Sequence, residues 1–343
     1  MVTSVDLPIT NSDASADSRP EWTRFLATCI GTLVIGGVLL FAFMIAVDPY
    51  DSGKFGFLGI AGVDDRNTHT ADASRARDPN FDSAIIGNST AHLLNPAELS
   101  QATGLRFVQL TTTGAGPREE FAVLDFFLRH HPHVGALVVV TDPSWCAHER
   151  AEPWAMFPYW LYGKSSLPYA RRLISWQTIQ HAFQRVAIGL GWHQRMDPAG
   201  AFRPEDVWPV GEFHETNLPK DPPPAATLAG RAVFPEVSLL DDVVQKLPPD
   251  AAVVLVVPPT LYPTVPQPGT VAATEKEACN AALRQVVAGR PHSNFINYRV
   301  DNAMTRDRAN FVDFIHYRPV LAAEMQEGIA ASIKQGNAAR IDF

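Results

Sequence analysis

Cysteine is scarce. Three occur in 343 residues, with no Cys-x-x-Cys spacing and no Cys/His cluster. That excludes zinc-ribbon and disulfide-scaffold architectures. Cys29 lies within an apolar run, while Cys146 and Cys279 can pair only in an oxidising compartment; the sequence leaves a disulfide and two separate thiols equally open. Positive charge is also short. Lys and Arg total 28 against 36 Asp and Glu, a net charge of −8. A nucleic-acid partner, which needs a basic face, is not expected. His130, His131 and His133 fall at a predicted helix end, a common electrostatic placement. With no carboxylate between them they do not make a metal site, and neither a metal nor a cofactor is expected. No repeat of solenoid type occurs.

What the chain does have is a long uncharged stretch. Residues 25–47 (FLATCIGTLVIGGVLLFAFMIAV) contain no charged side chain. As a helix they would extend roughly 35 Å, enough for a hydrocarbon core of about 30 Å. The run is longer than a signal-peptide core and no small-x-small site precedes Asp48-Pro49, so a retained transmembrane helix is expected. Its length and glycines argue against a buried core helix. Arg19 and Arg24 precede it and Lys54 follows. That bias predicts a single-pass plasma (inner) membrane protein with a cytoplasmic N-terminus and a periplasmic or extracellular main domain. Residues 1–24 read as a disordered cytoplasmic tail and 48–80 as a linker.

From residue 81 to 343, strand-like and helix-like segments alternate. Strands are predicted at 84–87, 105–111, 136–141, 252–257 and 294–297, with helices at 96–103, 117–131, 237–246, 274–288 and 319–334. Short continuous apolar runs such as ALVVV and AVVLVV suit strands buried on both faces. The fold class is therefore α/β, a doubly wound parallel sheet. An insertion at about 145–230 interrupts it. Six of the seven tryptophans fall there (Trp145, Trp154, Trp160, Trp176, Trp192 and Trp208), with one helical pattern at 167–190 and a stiff PKDPPP connector at 219–224. Tryptophans can stack on sugar rings, but filling a small core is the preferred reading. As a loop following a strand's C-terminal end, the insertion is expected to border the ligand crevice. Arg75 and Arg77 are expected to pair with local acids.

Two short motifs carry chemistry. In AIIGNST the first strand breaks into a helix start, placing Ser89 at the tip of a strand-to-helix turn. There a hydroxyl points away from the sheet and a backbone N–H is available to an oxyanion. In DFIH, just before the last helix, Asp313 and His316 can supply an orienting carboxylate and a general base. Gly114, in TTTGAG after the second strand, can bring a second N–H close to a substrate oxygen. The plainer alternative is that Ser89 or Thr90 only caps a turn and His316 is a surface imidazole.

With Ser89 in the first block, Gly114 in the second and Asp313-x-x-His316 in the last, the chain resembles the SGNH (GDSL-like) hydrolase and acyltransferase superfamily over about 140 residues outside the insertion. The resemblance implies a flavodoxin-like domain and a Ser89–His316–Asp313 triad, with an oxyanion hole from the Ser89 and Gly114 amides. The family's third block carries an asparagine donor; here Asp142 stands in or near that place, and Asn88 is the expected substitute. Membrane-anchored families of D-alanyl transfer and exopolysaccharide O-acetylation look similar in architecture. They imply an esterase or O-acyltransferase acting on a cell-envelope polysaccharide beside a multispanning membrane acyltransferase. The alternative is a catalytically inactive envelope assembly or binding protein that keeps the fold.

Overall fold

The computed structural model describes residues 19–203, 213–215 and 233–336. Most of the expected tail, Trp208 and the 219–224 connector lie outside them. The first helix, α1 (Arg19–Val47), is long and apolar enough to cross a membrane. Most of its side chains are exposed, among them Leu33, Val34 and Val38, whereas Met44 and Val47 in the last turn are buried.

Five parallel strands form the sheet: β1 (Ser83–Gly87), β2 (Phe107–Thr111), β3 (Ala136–Val140), β4 (Ala252–Val257) and β5 (Asn294–Asn297). Their order, β2-β1-β3-β4-β5, is the flavodoxin-like doubly wound order. Successive residues serve opposite faces, as the strand period of two requires. Ile86, Leu110, Val139 and Leu255 join one core, under α4 (Pro117–His130) and the helices Pro235–Val244 and Val271–Val286. Ile85, Phe107, Val138 and Val254 join the other, under α3 (Pro96–Thr103) and the C-terminal helix Pro319–Gln335. Both faces are covered, so the strands read as apolar runs without polar alternation.

Three regions depart from expectation. The segment expected as a linker is part of the domain: α2 (Thr68–Ala76) has seven of nine residues buried and packs on β2 and α4. Its small residues Ala71, Ala73 and Ala76 permit the close approach, and Asn67 caps its first turn. The predicted 167–190 helix is divided into α6 (Ser166–Ala170) and α7 (Trp176–Gly189). Ser175 accepts from the Thr178 amide at 3.2 Å and so starts a new helix at that point. The front of the insertion, with α5 (Tyr159–Tyr162), sends Phe157, Leu161, Tyr162, Tyr169 and Leu173 into the first core. Its helix α7 packs directly on α1. Cys146 and Cys279 form a disulfide, tying the turn after β3 to the helix Val271–Val286.

Candidate active site

The site begins with a turn that only glycine permits. A Cβ on Gly87 would stand 2.9 Å from the Ala91 Cβ and 3.1 Å from the Val140 Cβ. The chain can therefore fold tightly from β1 into the 3-10 turn Ser89–Ala91. Asn88 caps this turn, its Oδ1 accepting from the Thr90 amide at 3.0 Å and the Thr90 hydroxyl at 2.9 Å. Ser89 thus stands at the C-terminal end of β1, beside the point where the strand order reverses, the usual ligand crevice of an open α/β sheet. From β2, the buried Gln109 donates to the carbonyls of His92 and Leu94, both at 2.8 Å, and accepts from the Phe202 amide at 3.1 Å. It braces the turn from beneath.

The last loop meets this turn. A bridge between Phe311 and Tyr317 closes it, and Val312 donates to the His316 carbonyl at 2.8 Å. Inside, Asp313 Oδ1 accepts from the amides of Ile315 and His316, each at 2.8 Å. Its Oδ2 lies 2.7 Å from His316 Nδ1, and His316 Nε2 lies 2.9 Å from Ser89 Oγ, 227 residues away in sequence. With Nδ1–H donated to Asp313, Nε2 presents its lone pair to the serine hydroxyl. Burial works to raise the Asp313 carboxyl, but hydrogen bonds from His316 and the two amides outweigh it and hold the group below its ordinary range. The loops are joined directly: the Tyr317 hydroxyl donates to the Thr90 carbonyl at 2.6 Å, and burial keeps that phenol protonated.

Ser89 and Gly114 line one cavity of about 360 Å³, with Ala115, Pro143, Val257, Arg299 and Ile315 among its walls. Neither the Ser89 nor the Gly114 amide has a hydrogen-bond partner among the described residues. Gly114 has φ +70°, which is why the position favours glycine. The expectation for Asn88 is corrected. Its Nδ2 donates to Asp142 Oδ2 and, at 3.3 Å, to the Ala115 carbonyl, so the side chain is committed to its neighbours rather than turned to an oxyanion. Asp142 is occupied in turn: its other oxygen caps the turn Pro143–Cys146 by accepting from the Ser144 amide at 2.7 Å.

Several site residues were not singled out from sequence. His92 is buried, shares a 3.4 Å contact with the Thr113 hydroxyl and stacks on Phe202 at 4.5 Å. Burial pushes its imidazole down to about 4; the Thr111 backbone opposes this and nearby His316 adds to it. From α2, His69 Nε2 meets the Thr113 carbonyl at 2.8 Å and so steadies the strand of loop carrying Gly114. Single polar residues in ordinary surroundings gave no sequence signal for these roles. Both parts of the insertion reach this corner: Trp154 meets the His69 ring at 4.9 Å, Phe202 contacts His92, and Phe213 packs on Phe314 of the last loop. Away from the site, His130 and His131 bond to helix carbonyls, while Arg75 and Arg77 pair with Asp72 and Asp51. No protein-family model and no curated protein matches the chain.

Proposed function

We propose that this chain is a membrane-anchored, extracytoplasmic SGNH-like serine esterase or O-acyltransferase acting on a cell-envelope polysaccharide. The observation that carries the reading is the unbroken line Ser89 Oγ, His316 Nε2, His316 Nδ1, Asp313 Oδ2, with steps of 2.9 and 2.7 Å. Ser89 attacks an acyl carbonyl while its proton passes to His316, and Asp313 stabilises the imidazolium. The Ser89 and Gly114 amides receive the oxyanion. His316 then returns the proton to the departing alcohol, leaving an acyl-serine. Water or a sugar hydroxyl resolves that ester by the same proton path in reverse. The cavity volume suits a short acyl group or one sugar ring. The anchor follows from α1, and the Cys146–Cys279 disulfide supports an outward-facing domain, since such bonds persist in oxidising compartments. A multispanning membrane acyltransferase would deliver the acyl group.

The test is labelling of the full chain in detergent with a fluorophosphonate. Wild type is expected to label and Ser89→Ala to remain blank; equal labelling, or none in either, sinks the enzyme reading. One observation favours a second reading, an inactive assembly protein. Among the described residues lining the cavity, the one side-chain amide, that of Asn88, is bound to Asp142, which leaves the two backbone donors for an oxyanion. Absence of labelling in a folded wild-type protein would select it.

A further inference from the structure

Helix α1 is built into the domain instead of being tethered to it. Arg185 of α7 is buried against its end, donating to the carbonyls of Val47, Asp48 and Ile60 and pairing with Asp51 at 3.0 Å. Tyr169 donates to the Asp48 carboxylate. The chain leaving the helix doubles back, and the amides of Gly56 and Phe57 donate to the carbonyls of Ile45 and Ala46 at 3.1 and 3.0 Å. Phe183 of α7 rests on Phe43 with ring centroids 5.6 Å apart. A joint of this kind fixes the height of everything beside it.

Beside it lies apolar surface that the fold leaves uncovered. Phe57 is 79% exposed, Leu58 56%, Phe183 61% and Leu190 54%. Phe57 and Leu58 follow from the backbone bonds to the last turn of α1. Phe183 of α7 and Leu190, which caps that helix seven residues on, lie on one side of it, and the end of α7 abuts the same loop, where Gly189 approaches Ile60. A hydrocarbon core of about 30 Å takes roughly 20 residues of helix, and α1 has 29. Residues 43–47 therefore fall at the level where acyl chains give way to headgroups, the depth favoured by aromatic side chains.

We propose that Phe57, Leu58, Phe183 and Leu190 form a collar inserted into the lipid interface of the membrane that α1 crosses, so that the domain lies on the bilayer. The surface is continuous with the exposed apolar face of α1, which makes lipid its occupant. This inference goes beyond the acyl chemistry and does not depend on it; it requires only that α1 spans.

Spin labels test it on the full chain in lipid nanodiscs, in a Cys29→Ser background. Phe57→Cys and Phe183→Cys carry the label, with Leu33→Cys on α1 and Val320→Cys on the C-terminal helix as references. The readout is accessibility to oxygen, which concentrates in lipid, relative to a water-soluble nickel chelate. Positions 57 and 183 are expected to give ratios several-fold above 320 and below 33. Ratios equal to that at 320 overturn the collar. Labels shielded from both reagents also overturn it, because a protein would then cover the patch. An aqueous reading at 33 removes the span and the collar with it. Fluorophosphonate labelling of the same samples reports separately on Ser89, so the two proposals fail independently.

Discussion

The corner that holds Ser89 and the joint that receives α1 both depend on polar groups brought together from distant parts of the chain, and they leave those groups in opposite states. At the corner, Ser89, Asp313 and His316 are half-buried, and Ser89 lines a cavity. At the joint, Arg185, Asp48 and Asp51 are buried and surrounded by carbonyls, carboxylates and a tyrosine. Groups that must exchange protons need access to solvent and substrate, whereas groups that fix geometry gain from enclosure, where each hydrogen bond is stronger. On the proposed reading, aspartate serves chemistry at the corner, as Asp313, and rigidity at the joint, as Asp48 and Asp51.

The largest expected effect lies at the corner. His316→Ala and Asp313→Asn should each slow fluorophosphonate labelling by roughly 10²–10⁴-fold, with thermal unfolding little changed. Comparable labelling rates would show that the two regions differ less than their geometry says. At the joint, Arg185→Met should instead destabilise the domain by about 3–5 kcal/mol, because it leaves Asp51 buried without that partner; denaturant unfolding measures it. Cys146→Ser with Cys279→Ser should cost about 2–4 kcal/mol, as expected for a link that closes a long loop. Tyr317→Phe removes the bond between the first turn and the last loop. About 1 kcal/mol of stability should go with it, with a measurable loss of labelling rate as His316 becomes less well held.

The remaining prediction concerns pH. Burial outweighs the Arg75 guanidinium and pushes the Asp72 carboxyl up from 3.8 to about 7. Between those values the folded protein keeps a proton that the unfolded chain has released, so stability falls as pH rises through this window. Asp72→Asn should flatten the decline in Tm between about pH 4 and pH 7. An unchanged slope would place the titration elsewhere.

Much of this was legible in the sequence. The strands could be read because burial on both faces leaves continuous apolar runs, and 252–257 and 294–297 match to the residue. Ser89, His316 and Asp313 stood out because each lies at a strand-to-helix corner, and the doubly wound order brings such corners to one edge of the sheet. Helix α2 escaped because THTADASRA has no apolar stripe; it is buried through small side chains and polar partners. The disulfide depends on a distance that spacing does not encode. Asn88 misled for a local reason: as a cap its carbonyl oxygen must face Thr90, and that turns the amide nitrogen toward Asp142.

The Arg185 clasp carries one more consequence. A shaft joined stiffly to a body transmits torque, so on the proposed membrane placement a neighbour gripping α1 within the bilayer would also set the compass bearing of the serine cavity. Partner choice inside the membrane and substrate presentation outside it would then be mechanically a single event.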